Sequence, residues 1–161
     1  MAKKKVVKTN AIRLVEQKKI AYHEYSYEWS ENHLGAAEVA TKLGQNPAQV
    51  FKTLVAIGNK TGVIVAVIPG NHELDLKKLA KASGNKKVDM LHLKDLEQTT
   101  GYIRGGCSPI GMKKLFPTFI DQTAKTFPTI IISAGKRGLQ LEIAVGDLEG
   151  LVQGELVDLI E

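Results

Sequence analysis

Lys52 stands inside an apolar, β-prone run from Val50 to Ile57, between Phe51 and Thr53-Leu54. Two readings of it are open. On an alternating strand the side chain can point to solvent with its methylene stem along the sheet. Alternatively it is a fixed cation in a pocket, able to hold a phosphate or a developing oxyanion. A second stretch offers matching donors: Gly101-Tyr102-Ile103-Arg104-Gly105-Gly106-Cys107-Ser108-Pro109-Ile110-Gly111, with four glycines, one proline and one serine. Glycine lets a ligand or another backbone come close, and proline removes an amide and fixes its own φ. The composition predicts a rigid loop whose N–H groups line a small concavity suited to an oxyanion or phosphate. A tight β-connection with bulges is the plainer alternative.

Better-known sites do not fit. Gly106 and Gly111 give the G-x-x-x-x-G of a P-loop, but Met112 stands where that loop needs its lysine. There is no G-x-G-x-x-G in the loop. His23, His33, His72 and His92 are scattered without zinc-ligand spacing. Ser108 lacks the G-x-S-x-G elbow of a serine nucleophile. Cys107 could draw on an oxyanion hole in its own loop, but no histidine is sequence-linked to it, and a lone cysteine packs more often than it reacts. Asp75, Asp121, Glu142 and Asp147 show no pairing that sequence can establish. The residues therefore point to no metal, redox or triad chemistry, and no cofactor is expected.

Composition sets the frame for these candidates. A chain of 161 residues, 43% of them hydrophobic, suits one domain with a real core. Its net charge is +5, and Lys3, Lys4, Lys5 and Lys8 lie in a first ten residues free of acids. The remainder carries only +1, so the charge is mostly a tail and speaks weakly for nucleic acid. We expect residues 1–10 to be a basic flexible tail and 11–161 to be a single domain. Cys107 is the only cysteine, which rules out an intrachain disulfide and suits a reducing compartment. No apolar run reaches a membrane span, and the N-terminus lacks a signal-peptide core. A cytoplasmic protein without membrane partners is expected.

The elements that must position the candidates read as follows. Thr9-Asn10 caps a helix from Ala11 to Lys19, and Ile20 to Tyr27 is a strand. Glu28 to His33 is a polar loop. Ala36, Val39, Ala40 and Leu43 form an apolar helical stripe that Gly44 ends. Asn46-Pro47 opens another helical turn. Val50 to Ile57 and Val63 to Ile68 form a hairpin around the five-residue loop Gly58–Gly62. Asp75 caps a helix to Ser83, and Leu91 to Gln98 is a further helix. Strands follow at 119–121, 129–133 and 139–144. Helices at 145–151 and 155–160 complete the chain. Short strands and helices without βαβ alternation argue for an α+β domain.

Four segments occur in an order that adds to this. Val50-Phe51-Lys52-Thr53-Leu54, Leu74-Asp75-Leu76-Lys77-Lys78, Thr100-Gly101-Tyr102 with Gly105 through Gly111, and Ser133-Ala134-Gly135-Lys136-Arg137-Gly138-Leu139 resemble the YbaK/EbsC family of Cys-tRNA(Pro)/Cys-tRNA(Cys) deacylases. These are relatives of the editing (insertion) domain of bacterial prolyl-tRNA synthetase. The match runs from about Ala11 to the C-terminus. It implies a mixed, mostly antiparallel, barrel-like sheet surrounded by short helices. It implies that Lys52 is the essential pocket lysine, with Tyr27, Leu34, Thr53, Gly105, Gly106, Ser133 and Gln140 lining the substrate site. Gln140 replaces an aspartate of some members and Leu34 an aromatic residue, which bears on substrate choice. Cys107 stands where relatives commonly carry an aliphatic residue, which speaks against it as nucleophile.

The implied activity is trans-editing: removal of cysteine from Cys-tRNA(Pro), and from Cys-tRNA(Cys) as a second substrate. The substrate's own thiol would attack its ester and leave a thiolactone. The implied partners are aminoacyl-tRNA and prolyl-tRNA synthetase. Two alternatives stay open at this point: a water-dependent editing hydrolase for another small residue, such as Ala-tRNA(Pro), and a non-enzymatic binding module of the same fold.

Overall fold

The computed structural model of the chain describes residues 8–28 and 36–161. Residues 1–7 of the expected tail, most of the expected polar loop, and Leu34 with it lie outside the described residues.

The chain opens with α1 (Asn10–Gln17), started by Thr9, whose Oγ1 accepts from the Ile12 N–H at 3.2 Å. The same hydroxyl donates to the Ala134 carbonyl and so fastens the helix to the sheet beneath it. Next come β1 (Tyr22–Ser26), α2 (Ala36–Lys42) and a 3-10 turn at Pro47–Gln49. Asn46 caps that turn through its side chain, with Pro47 in the first position. Then follow β2 (Phe51–Gly58), β3 (Gly62–Pro69), α3 (Leu76–Ser83), β4 (Val88–Met90) and α4 (Leu93–Thr100). The last part holds β5 (Thr118–Asp121), β6 (Thr129–Lys136), β7 (Leu139–Ala144), α5 (Val145–Val152) and β8 (Glu155–Val157).

The strands form two sheets, β1-β7-β6 and β4-β2-β3-β5-β8. The first is antiparallel throughout. The second is antiparallel across β4, β2 and β3, then parallel through β5 to β8. The α+β class and the mixed, mostly antiparallel pairing are as expected. The sheets do not close into a barrel; a parallel bridge between Val50 and Ile131 joins them.

Period-two alternation divides the core. Val65 and Val67 of β3 turn toward the space between the sheets, where they meet Phe51, Ile130, Ile132, Leu141, Ile143 and Ile12. Ile64, Ala66 and Ile68 turn to the other face, where Leu79 of α3 and Leu159 cover them. The five-stranded sheet is thus buried on both faces, which explains the nearly unbroken apolar run of β3. On the first sheet, Glu142 holds three strands together. It accepts from Tyr25 Oη at 2.6 Å and from Thr129 Oγ1, and these bonds keep its carboxyl below the usual range.

Three expectations change. Glu155–Ile160 is not a helix: β8 runs parallel beside β5, and Ile160 bridges Leu74. The free edge of β5 sets this, and the buried Asp121 carboxylate accepts the Leu159 N–H at 2.9 Å. The hairpin loop is three residues rather than five, because β2 and β3 stay paired as far as Gly58 and Gly62. The helix expected from Leu91 begins two residues later, at Leu93, and a short strand not expected from the sequence, β4, ends just before it at Met90.

Candidate functional site

β2 has two different edges. One pairs with β3 along the whole strand. The other meets β4 only at Ala56, Ile57 and Gly58, and meets β6 through the Val50–Ile131 bridge. Between these contacts no described strand pairs with the edge. Leu91 N–H donates to the Val55 carbonyl at 3.0 Å, so odd-numbered residues of β2 turn their main-chain groups away from β3. The N–H and C=O of Thr53 therefore face the gap.

A pocket of about 600 Å³ occupies this gap. Lys52 and Leu54 reach it from one face of β2, and Phe51, Thr53 and Val55 from the other, so the pocket wraps across the open edge. Its second wall comes from the other sheet, with Ile132 and Ser133 on β6 and Gln140 on β7. Tyr27 closes one end, held just beyond β1 by donation of its N–H to the Gly138 carbonyl at 2.9 Å. The β4–α4 segment and the glycine loop supply the remaining sides.

Unused polar capacity collects here. Lys52 is half-buried and makes no hydrogen bond or ion pair with any described residue. Thr53 Oγ1 is buried and has no partner among the described residues. A buried hydroxyl without a partner costs about 1–3 kcal/mol, so a ligand that supplies one gains from it. Lys52 is among the residues that line the pocket. Ser133 pairs with Gln140 across the strands, and its hydroxyl accepts the Gly135 N–H at 3.2 Å at a bulge. Gln140 is only 6% exposed and accepts from Gln45 Nε2 at 3.1 Å.

The glycine loop divides at two neighbouring residues. Gly105 lies on the pocket wall with Arg104 and Cys107. Gly106 lies behind it, against the turn between β6 and β7; a Cβ there would meet Arg137 N at 2.9 Å and the Lys136 carbonyl carbon at 3.0 Å. Its N–H is spent on the Ile103 carbonyl at 3.0 Å. The loop is neither a strand connection with bulges nor a full ring of free amides. Tyr102 braces it, donating to the Ile110 carbonyl at 2.6 Å with its own phenol pushed up to about 12, chiefly by burial. Burial likewise pushes the Cys107 thiol up to about 11, against a smaller opposing hydrogen bond from Thr100. A thiol this reluctant to ionise is a poor nucleophile near neutrality.

The pocket therefore brings together Lys52, Tyr27, Thr53, Gly105, Ser133 and Gln140. It leaves Gly106 in the supporting layer, and Leu34 lies outside the described residues. Among the described residues no three metal-binding side chains gather, and no helix is long and apolar enough to cross a membrane. Sequence reasoning did not single out Arg104, Met90 or Leu93, all on the pocket wall.

The arrangement has counterparts. The sequence pattern described as "Aminoacyl-tRNA editing domain" matches residues 30–151. An Enterococcus faecalis protein, EbsC, provisionally named a Cys-tRNA(Pro)/Cys-tRNA(Cys) deacylase, is 63% identical over 160 residues, covering 99% of this chain and 98% of its own. Proline–tRNA ligase of Kosmotoga olearia is 30% identical over 101 residues, 63% of this chain but 17% of the ligase. A crystal structure described as a trans-editing enzyme candidate for prolyl-tRNA synthetase superposes with a TM-score of 0.80 at 22% identity, over 96% of this chain and 99% of that one. The fold is thus shared with that structure, and the match of sequence carries the relationship further: the chain belongs to the aminoacyl-tRNA editing domain family.

Proposed function

We propose that this protein is a trans-editing deacylase that removes cysteine from mischarged Cys-tRNA(Pro), with Cys-tRNA(Cys) as a second substrate. The observation that carries the reading is the Lys52 ammonium, without a partner among the described residues, at an open strand edge inside the pocket of a family member. The 63% identity to EbsC supports the choice of amino acid.

In the proposed reaction the ester lies in the gap beside β2. The cysteinyl sulfur attacks its own carbonyl carbon, forming a C–S bond. The C–O bond to the terminal ribose breaks, and the thiol proton passes through solvent to the departing ribose oxygen. The products are a thiolactone and free tRNA. An intramolecular attack has a very large effective molarity, so the protein needs to position the ester and stabilise charge. Lys52 supplies a point charge where negative charge develops on the ester oxygens. The Gly105 and Cys107 amides, which meet no acceptor among the described residues, are proposed to add to it. No protein base is needed, because a free thiol ionises appreciably near neutral pH. Tyr27, Thr53, Ser133 and Gln140 are the proposed substrate contacts, and prolyl-tRNA synthetase is the proposed docking partner.

Deacylation of purified Cys-tRNA(Pro), Ala-tRNA(Pro) and Pro-tRNA(Pro) by the full chain tests this. Release of cysteine alone is expected. Preferential release of alanine would move the assignment to a water-dependent editing hydrolase. Tight binding of all three without release would make the protein a binding module.

A further inference from the structure

We propose that Gln45, which is not on the pocket wall, is a positioning residue for the deacylation. It fixes the Gln140 carboxamide so that the wall offers the ester carbonyl an N–H donor and not an acceptor. The inference rests on the deacylase reading and assigns the polarity of one wall of that site.

Gln45 follows α2 in a turn closed by glycine. Its N–H donates to the Ala40 carbonyl at 2.8 Å, and the Gly44 N–H donates to the Thr41 carbonyl at 3.2 Å, with Gly44 at φ 71°. These are the two bonds of a Schellman motif, in which the residue after the glycine commonly makes an apolar contact with the helix. This chain places a carboxamide there. Gln45 Nε2 donates to Gln140 Oε1 at 3.1 Å, and Gln45 Oε1 is buried without a partner among the described residues. A buried acceptor left unpaired costs stability, and an apolar side chain would avoid that cost. What the carboxamide contributes is its bond to Gln140.

Gln140 has no other anchor among the described residues. Its cross-strand neighbours are Tyr25 on β1 and Ser133 on β6. The Tyr25 hydroxyl donates to Glu142, and the Ser133 hydroxyl accepts from Gly135. The bond from Gln45 occupies the Gln140 oxygen and leaves Nε2 without a partner, though not sealed from solvent. Gln140 is otherwise buried, and the surface it keeps is on the pocket wall. The amide nitrogen therefore faces the pocket.

Other orientations are worse. Turning Gln45 alone would set two carbonyl oxygens against each other. Turning both carboxamides would exchange the buried oxygen of Gln45 for a buried NH2 group with two donors. Buried N–H groups go unpaired less readily than buried oxygens, so the pair settles with Gln140 Nε2 toward the pocket. The rest of the lining agrees. Lys52, Arg104 and Arg137 line the pocket, and among the described residues no aspartate or glutamate does. A donor at Gln140 extends this electropositive wall. It suits the ester carbonyl, whose oxygen gains negative charge as the sulfur attacks, and does not suit the α-ammonium of the substrate.

Steady-state deacylation of Cys-tRNA(Pro) by the full chain tests this in Gln45→Met, Gln140→Met, the double variant and Gln140→Glu. Methionine keeps the length of the side chain and removes the donor. Each single methionine variant should lower kcat about fivefold with KM unchanged. The double variant should fall no further than Gln140→Met, because Gln45 acts only through Gln140. Gln140→Glu keeps the bond from Gln45 but offers the pocket an acceptor, and should lose at least as much as Gln140→Met. The thermal midpoint of Gln45→Met should not fall, since the stranded oxygen leaves with the bond. Losses that multiply in the double variant would overturn the positioning role. So would a lower midpoint in Gln45→Met with kcat unchanged, which would make Gln45 structural. Full activity of Gln140→Glu would overturn the donor polarity. All of these are ratios to the wild type, whereas the deacylase reading falls only if the wild type itself fails to release cysteine from Cys-tRNA(Pro).

Discussion

The two ends of β2 are built for different purposes. At the Gly58 end both edges are paired, and Asn85 fills the space over the glycine. Its carboxamide accepts from the N–H groups of Lys60 at 2.8 Å and Thr61 at 3.1 Å, and donates to Thr61 Oγ1 at 2.9 Å and Ser83 Oγ at 2.8 Å. At the Lys52 end, among the described residues, one edge is unpaired, the buried Thr53 hydroxyl has no partner, and the half-buried Lys52 has no counter-ion. One strand thus carries a saturated end and an unsaturated one. Stability resides where the polar groups are satisfied, and chemistry is expected where they are not.

Substitutions can break this contrast. Lys52→Ala is expected to have the largest effect, lowering deacylation about a hundredfold or more with the fold intact by circular dichroism. Lys52→Arg should recover little, because a planar guanidinium does not replace a compact point charge. At the other end, Gly58→Ala would place a Cβ 2.2 Å from Asn85 Nδ2. Expelling that side chain should cost about 3 kcal/mol in a urea titration, with the rate per folded molecule unchanged. A large loss of rate in that variant would deny the division of labour.

Thr53→Val sharpens the comparison, since it removes the unpartnered hydroxyl while keeping the shape. The ligand-free protein should be as stable as before or slightly more so, while kcat/KM falls about tenfold. A loss of stability would mean that the hydroxyl serves the fold. The smallest effect belongs to Cys107→Ala, which should leave the rate within about twofold because the thiol is protonated at working pH. Its signature is in alkaline stability. The folded thiol ionises near 11 and the reference thiol at 9.0, so the unfolded chain loses its proton first and stability falls as pH rises from about 9 toward 11. Cys107→Ala should flatten that limb in a pH series of unfolding midpoints.

Much of the frame was legible because its causes are local. Thr9, Asn46 and Asp75 cap the segments they precede, and each does so through its own side chain. The hairpin and the apolar run of β3 follow from residue type alone. β4 and β8 were not legible, because each is a three-residue strand whose conformation is set by a distant partner edge. The site divides in the same way. Lys52 stands out as a charge in an apolar run, but its direction depends on the gap between β4 and β6, which no local pattern encodes. Gly105 and Gly106 look equivalent as residues. Only the approach of the Lys136–Arg137 backbone puts one on the wall and the other behind it.

The central claim is that the open end of β2 positions an ester which the substrate's own thiol then cleaves. Single-turnover deacylation of S-alkylated Cys-tRNA(Pro) by the wild-type protein tests it most directly, with the unmodified substrate alongside. The alkylated ester is expected to persist at its spontaneous rate while the free-thiol ester is cleared. Rapid cleavage of the alkylated ester would contradict the thiolactone route and require a water molecule activated in the pocket.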